Sequence, residues 1–246
     1  MTMKASGPLL HANTLAELRA KLATLNIKVP PRSEGGRTQQ VERYCVAHLL
    51  AVLSATRLDF PLALTHRDRP DFLLDMAGLE IGIEHTEAVP KNAAAAQAMR
   101  ERGVGPEVYF PGHAMPGEPK RTSAEIRREI EADLSGDGWV GDSPEREWAE
   151  AMAYFVNEKL PKAQAEGFAR YAINWLIVYD NWPVPAVDYG KASAYLAPRL
   201  AEMNAFAVFD AIFVHDTTKM CEFRDAPIIH ALIKPDSLLG DRTGQP

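Results

Sequence analysis

The sequence predicts an α/β fold: a mixed β-sheet with helices on its faces. Three observations carry this. Two nearly continuous apolar runs, Ile173–Asp180 and 209–215, read as strands buried on both faces. A helical period over about 190–203 separates them, as a crossover between parallel strands requires. Residues 71–86 alternate with period two and read as a hairpin, which adds an antiparallel element.

Composition narrows the class. Of the 246 residues, 46% are hydrophobic and 24% charged, which excludes disordered and collagen-like chains. No stretch approaches the roughly 18 apolar residues that cross a bilayer. The opening MTMKASGPLLHA lacks the sustained apolar run of a secretory signal. A cytoplasmic location without a membrane partner is expected. Two cysteines, Cys45 and Cys221, are too few for a disulfide framework or a four-thiolate zinc site. The net charge of −6 argues against a polyanionic partner until its distribution is read. Residues 1–71 hold ten Lys/Arg against six Asp/Glu, whereas 125–150 hold three against nine, so overall charge does not decide the question.

The elements follow in order. The capping box Thr14–Glu17 opens a helix carrying Leu15, Leu18, Leu22 and Leu25 that stops near Asn26, so about 1–30 is expected to be a helical extension. Pro30, Pro31, Gly35 and Gly36 mark a loop. Val41, Cys45, His48, Leu49 and Val52 keep helical spacing within a helix over about 38–56. A strand at 62–65 precedes the hairpin 71–76 and 79–86, which turns at Ala77-Gly78. Residues 91–143 read as an insertion. It holds an Ala-rich helix at 93–100, a Gly/Pro-rich loop, and a helix opened by the capping box Thr122–Glu125 that runs to about Leu134. Gly136, Gly138 and Gly141 break that helix. Ser143-Pro144 then fits the start of a helix to about 160. The strand 173–180, the helix 190–203, and strands at 209–215 and 228–233 complete the chain. No linker divides it, so 1–246 is expected to be one domain.

The hairpin carries the chemistry. A two-residue turn at Ala77-Gly78 sets Asp71 opposite Glu84 and places Leu73, Asp75, Glu80, Gly82 and Thr86 on their face. Phe72, Leu74, Met76, Leu79, Ile81 and Ile83 form the other, apolar face. Opposed side chains have Cβ atoms about 5 Å apart, where like charges repel. A hard divalent cation between them reverses the sign, and Mg²⁺ takes one or two carboxylates together with water and phosphate oxygens. A solvated strand pair accounts for the acids equally well, and Asp75 and Glu80 near the turn are assigned to that role. On the preceding helix, Glu42 heads the stripe Glu42, Val46, Leu49, Leu53 at the margin of the buried face. It can overhang the sheet or complement the helix dipole. Arg43, Ala47, Leu50, Ser54 and Arg57 are expected to line a wetter face.

Glu42, the string Arg69-Pro70-Asp71-Phe72, and Ile81-Gly82-Ile83-Glu84-His85-Thr86 together resemble the PD-(D/E)XK nuclease superfamily, whose core is the restriction-endonuclease-like fold. The motif spans about 38–90, and the element order extends the likeness to about 215. The resemblance implies a Mg²⁺-dependent (or Mn²⁺-dependent) nuclease acting on nucleic acid, with DNA the expected substrate. Asp71 and Glu84 would bind the metal, with Glu42 helping directly or through water. The departure is Thr86, which stands where the family's acid-x-Lys motif has its lysine. Some members bring that lysine from a neighbouring helix. Lys159 continues the stripe Met152, Phe155, Val156 and is the candidate here, with Lys91 second. Lys159 can equally snorkel along its helix. A catalytically inactive module of this fold, binding nucleic acid or a protein partner, stays open, as do a metal-free structural role and homodimerisation.

Other groups read as structural. His85 alternates onto the apolar face as a satisfied core histidine. His215-Asp216 ends a strand and lacks the further ligands of a phosphohydrolase site. Gly82 permits close approach of a ligand or marks a bulge. Cys45 lacks the electropositive setting of a nucleophile. Arginines 32, 37, 43, 67 and 69 flank the motif and can meet phosphates or simply be solvated.

Overall fold

The computed structural model describes residues 8–109, 112–132 and 138–242. Among these, eight strands form a single mixed sheet whose spatial order follows the chain. Strands β1 (Leu10–Ala12), β2 (Leu62–His66), β3 (Phe72–Met76) and β4 (Leu79–Ala88) are successively antiparallel to one another. β5 (Ile173–Asp180) and β6 (Ala211–His215) join β4 in parallel, and β7 (Lys219–Phe223) and β8 (Ile228–Ala231) return antiparallel. The α/β class follows directly. No helix among the described residues is long and apolar enough to cross a membrane.

Helices cover both faces. Helix α1 (Leu15–Thr24) and helix α2 (Arg37–Leu53) belong to one core, with Leu62, Leu64, Phe72, Leu74, Ile81, Ile83, Ile177 and Phe213 from the sheet. Helix α5 (Ser143–Gln164) and helix α6 (Tyr189–Glu202) pack in the second core with Leu176, Val178, Ile212, Val214 and Phe223. Odd and even positions of β5 thus feed opposite cores, which is why its sequence shows no polar alternation. Helices α3 (Lys91–Arg100) and α4 (Ser123–Glu131) lie between β4 and α5 in the chain.

Several expectations change. The N-terminal segment is not wholly helical: Leu10–Ala12 pairs with β2 and extends the sheet, and α1 stops at Thr24. The Arg43 face of α2 is not wet, since Ala47, Leu50 and Ser54 are all buried. α1 and the C-terminal 3-10 segment Pro235–Arg242 pack against α2 in addition to the sheet, and periodicity against one surface cannot anticipate two. β7 was not expected, because it carries a buried acid, Glu222, that interrupts its apolar run and is paired by Arg57 and Arg224. Leu79, assigned to the apolar face, is 41% exposed at the hairpin tip. α4 ends at Glu131, and the expected terminus at Leu134 and the break at Gly136 lie outside the described residues. α5 begins at Ser143 with Asp142 as its N-cap and runs one turn past the expected end, through Pro161 to Gln164.

The hairpin has the register read from the sequence, with Phe72 opposite Ile83 and Met76 opposite Leu79. Its turn places Ala77 at φ 52° and Gly78 at φ 90°. Both values belong to a type I′ turn, which suits glycine and asparagine but strains alanine. Ala77 is exposed, so Ala77→Asn relieves the backbone without disturbing packing. It should stabilise the protein by about 1 kcal/mol, read as a raised urea midpoint at unchanged slope. Gly82 serves packing rather than a ligand: a Cβ there would meet the Tyr171 ring at 2.7 Å and Pro70 at 3.0 Å.

Candidate metal centre

The site forms where β4 outruns its partner. The β3–β4 ladder ends at Phe72–Ile83, yet β4 continues to Ala88 paired only with β5. At this open edge Asp71, one residue before β3, takes over: its Oδ2 accepts the His85 main-chain N–H at 2.7 Å. The carboxylate is thereby fixed beside Glu84 and His85.

Alternation along β4 sends those two side chains to opposite faces. Glu84 meets α5, where Lys159 Nζ donates to Oε1 at 2.6 Å. Both side chains are largely buried, and Glu84 Oε2 is buried without a hydrogen-bond partner. His85 is buried on the other side, where α2 brings Glu42. Glu42 Oε2 is 2.8 Å from Nε2 of His66, the last residue of β2. One carboxylate oxygen from each of Glu42 and Asp71 and one ring nitrogen of His85 all lie within 4.8 Å of one another.

The electrostatics follow from burial. The Asp71 carboxyl is pushed up to about 7, first by desolvation, then by the negative charges of Glu84 and Glu42. The His85 N–H and Lys159 pull it down without overcoming these. The His85 imidazole is held down to about 3, mainly by burial and next by the charge of Lys159, so it stays neutral. Crowded carboxylates, one raised toward neutrality, and an uncharged imidazole form a donor set suited to a divalent cation.

A cleft of about 430 Å³ opens onto this cluster, lined by Arg32, Arg37, Glu42, Asp71, His85 and Lys159. Thr86 and Lys159 also line an adjoining cleft of about 290 Å³, which holds Lys91. The arginines are anchored by Glu87. Arg37 Nη1 donates to it at 2.8 Å, and Arg32 and Asn181 bond the same carboxylate. Two guanidinium groups on one acid leave a net positive wall. Arg67 and Arg69 are exposed away from this network, and Arg43 is half-buried.

The structure therefore gathers Glu42, Asp71, Thr86 and Lys159 around one opening, with Glu84 buried behind Lys159. It redistributes the expected partners, because Glu84 engages Lys159 while the three-donor cluster comprises Glu42, Asp71 and His85. Three readings are corrected. Glu84 is not solvated, being 7% exposed beneath α5, whereas Glu80 near the turn is exposed as expected. Lys159 does not snorkel to solvent but turns inward onto that acid. His85 is not a satisfied core residue, because its Nε2 is buried with no hydrogen-bond partner. His66 and the Glu87 anchor were not foreseen. One sequence signal pointed here: four polar residues in succession, Glu84-His85-Thr86-Glu87, cannot enter a core without partners. Cys45 is fully buried and its thiol is raised well above the usual range by desolvation, so it stays protonated. Comparisons with protein-family models, curated proteins and solved structures gave no match.

Proposed function

We propose that this chain is a divalent-metal-dependent nuclease that hydrolyses phosphodiester bonds in nucleic acid, DNA in the first place, on a PD-(D/E)XK-type, restriction-endonuclease-like framework. One observation carries the reading. The lysine absent from the acid-x-Lys position is supplied by α5, whose Lys159 stands 2.6 Å from the motif acid Glu84.

Glu42 and Asp71 would hold Mg²⁺ or Mn²⁺ through carboxylate oxygens. The bound ion supplies charge neutralisation and Lewis acidity at the scissile phosphate. The chain's own groups do the rest. Glu84 fixes the Lys159 ammonium, which keeps N–H donors for the attacking water and a non-bridging phosphate oxygen. Thr86, at the junction of the two clefts, offers a hydroxyl to orient that water. Arg32 and Arg37, pre-set on Glu87, meet flanking phosphates, where guanidinium groups bind in a forked geometry.

The test is a cleavage assay of the purified chain on DNA and RNA with Mg²⁺ or Mn²⁺. Cleavage that a chelator abolishes is expected. Absence of cleavage of either polymer with both metals overturns the reading and leaves a binding module of the same build.

A further inference from the structure

The acids on either side of β4 are not equivalent as ligands. Glu84 already has a cation, Lys159 at 2.6 Å. On the opposite side, among the described residues, no ammonium or guanidinium group bonds Asp71 and nothing hydrogen-bonds the His85 ring. A ring nitrogen of that histidine nevertheless lies within 4.8 Å of carboxylate oxygens of both Asp71 and Glu42. Donors sharing one ion at bonds of about 2.1 Å are about 3–4 Å apart, so small side-chain adjustments close this cluster. Two features make it more than an acidic patch. The imidazole is buried with its Nε2 unpartnered, and the Asp71–His85 main-chain bond of 2.7 Å locks the strand that carries it against the carboxylate.

We infer that the cation site of this chain is a mixed nitrogen–oxygen site, with His85 as a ligand beside Glu42 and Asp71, and that it selects a first-row transition ion over Mg²⁺. The inference rests on the metal-dependent reading above and specifies its cation. Mg²⁺ favours all-oxygen surroundings and dehydrates reluctantly, whereas an imidazole ligand favours the first-row transition ions. Glu42 is oriented for this by His66, which bonds its Oε2 at 2.8 Å. Such support from a neighbouring group fixes a metal-binding carboxylate.

Mn²⁺ alone, added to the full chain, provides the test, since it is paramagnetic and reports bound nitrogen in pulsed electron paramagnetic resonance. Wild-type protein should show ¹⁴N modulation that becomes a ¹⁵N pattern when the histidines are ¹⁵N-labelled. The signal should vanish in His85→Asn and persist in His66→Asn. By calorimetry Mn²⁺ should bind more tightly than Mg²⁺, and His85→Asn should erase that preference. Should His85→Asn fail to fold, the labelled wild type and His66→Asn still decide. Mn²⁺ bound without nitrogen modulation, or with modulation lost only in His66→Asn, overturns the inference and leaves the metal-dependent reading standing. Absence of binding by either ion overturns both.

Discussion

Lys159→Met will abolish metal-dependent cleavage while leaving Mn²⁺ bound. The side chain bonds Glu84 and, among the described residues, none of Glu42, Asp71 and His85, so the donor cluster survives. What disappears is the ammonium paired with the motif acid. Losing a positioned donor at developing charge costs about 10²–10³ in rate. Asp71→Asn should also abolish cleavage, but through lost metal, because its remaining oxygen can still accept the His85 N–H. Lys159→Met carries a structural penalty as well. Glu84 is left in a largely buried place without its partner, and breaking such a pair costs about 3–5 kcal/mol. Chemical rescue separates the two effects. Alkylating Lys159→Cys with bromoethylamine restores an ammonium at nearly the same reach, and Cys45 and Cys221 are too buried to compete. Recovery of cleavage on alkylation is expected. Restored stability without restored cleavage would assign Lys159 a structural role only.

His215→Phe will stabilise the protein and weaken its acid sensitivity. His215 is fully buried in β6, and neither ring nitrogen has a hydrogen-bond partner. Aromatic neighbours surround it: His48 at 5.0 Å, Tyr44 at 5.3 Å and Tyr179 stacked at 5.4 Å. Burial, and next the neighbouring His48, hold its pKa down to about 3, against 6.5 when unfolded. Between these values the unfolded chain binds a proton that the folded chain refuses. The stability from neutral His215 is therefore complete above pH 6.5 and is lost as pH falls toward 3. By pH 4.5 the loss is about 3 kcal/mol. Phenylalanine removes this linkage and two orphaned polar atoms, adding about 1–3 kcal/mol at neutral pH. Urea midpoints across pH 4–8 would show it as a difference from wild type that widens in acid. A difference independent of pH would refute the linkage. His85, held down in the same way, keeps part of the acid sensitivity in the variant. Asp71 and Asp180, each pushed up to about 7, act with the opposite sign and lose stability as pH rises from about 4 to 7.

The hairpin was legible because its alternation leaves one register in which Phe72, Leu74, Ile81 and Ile83 share a face. That register alone placed Asp71 at Glu84. Lys159 was legible for the same kind of reason, as the next step of the stripe Met152, Phe155, Val156. His85 was not, because alternation reports the face of a side chain and not what covers that face. The face is apolar as far as Ile83, where β3 ends, and becomes a polar opening one residue pair later. His66 and Glu42 come from elements 24 residues apart and meet only through the sheet's packing on α2. β1 is only three residues long, and β7 buries Glu222 within its five, so neither shows the unbroken apolar run that marks β5.

The bond between Glu84 and Lys159 spans 75 positions of chain, and its two ends belong to different structural layers. Sliding α5 along the sheet by one helical turn, about 5.4 Å, would present Phe155 or Ala163 to Glu84 instead. On the proposed reading, hydrolytic competence would depend on how one helix is seated. What seats it is remote from the acids, notably the Trp148 indole N–H on Asp180 at 2.5 Å, some three turns back along the same helix. Damage there would leave the acidic cluster in place and, on the proposed reading, still abolish cleavage.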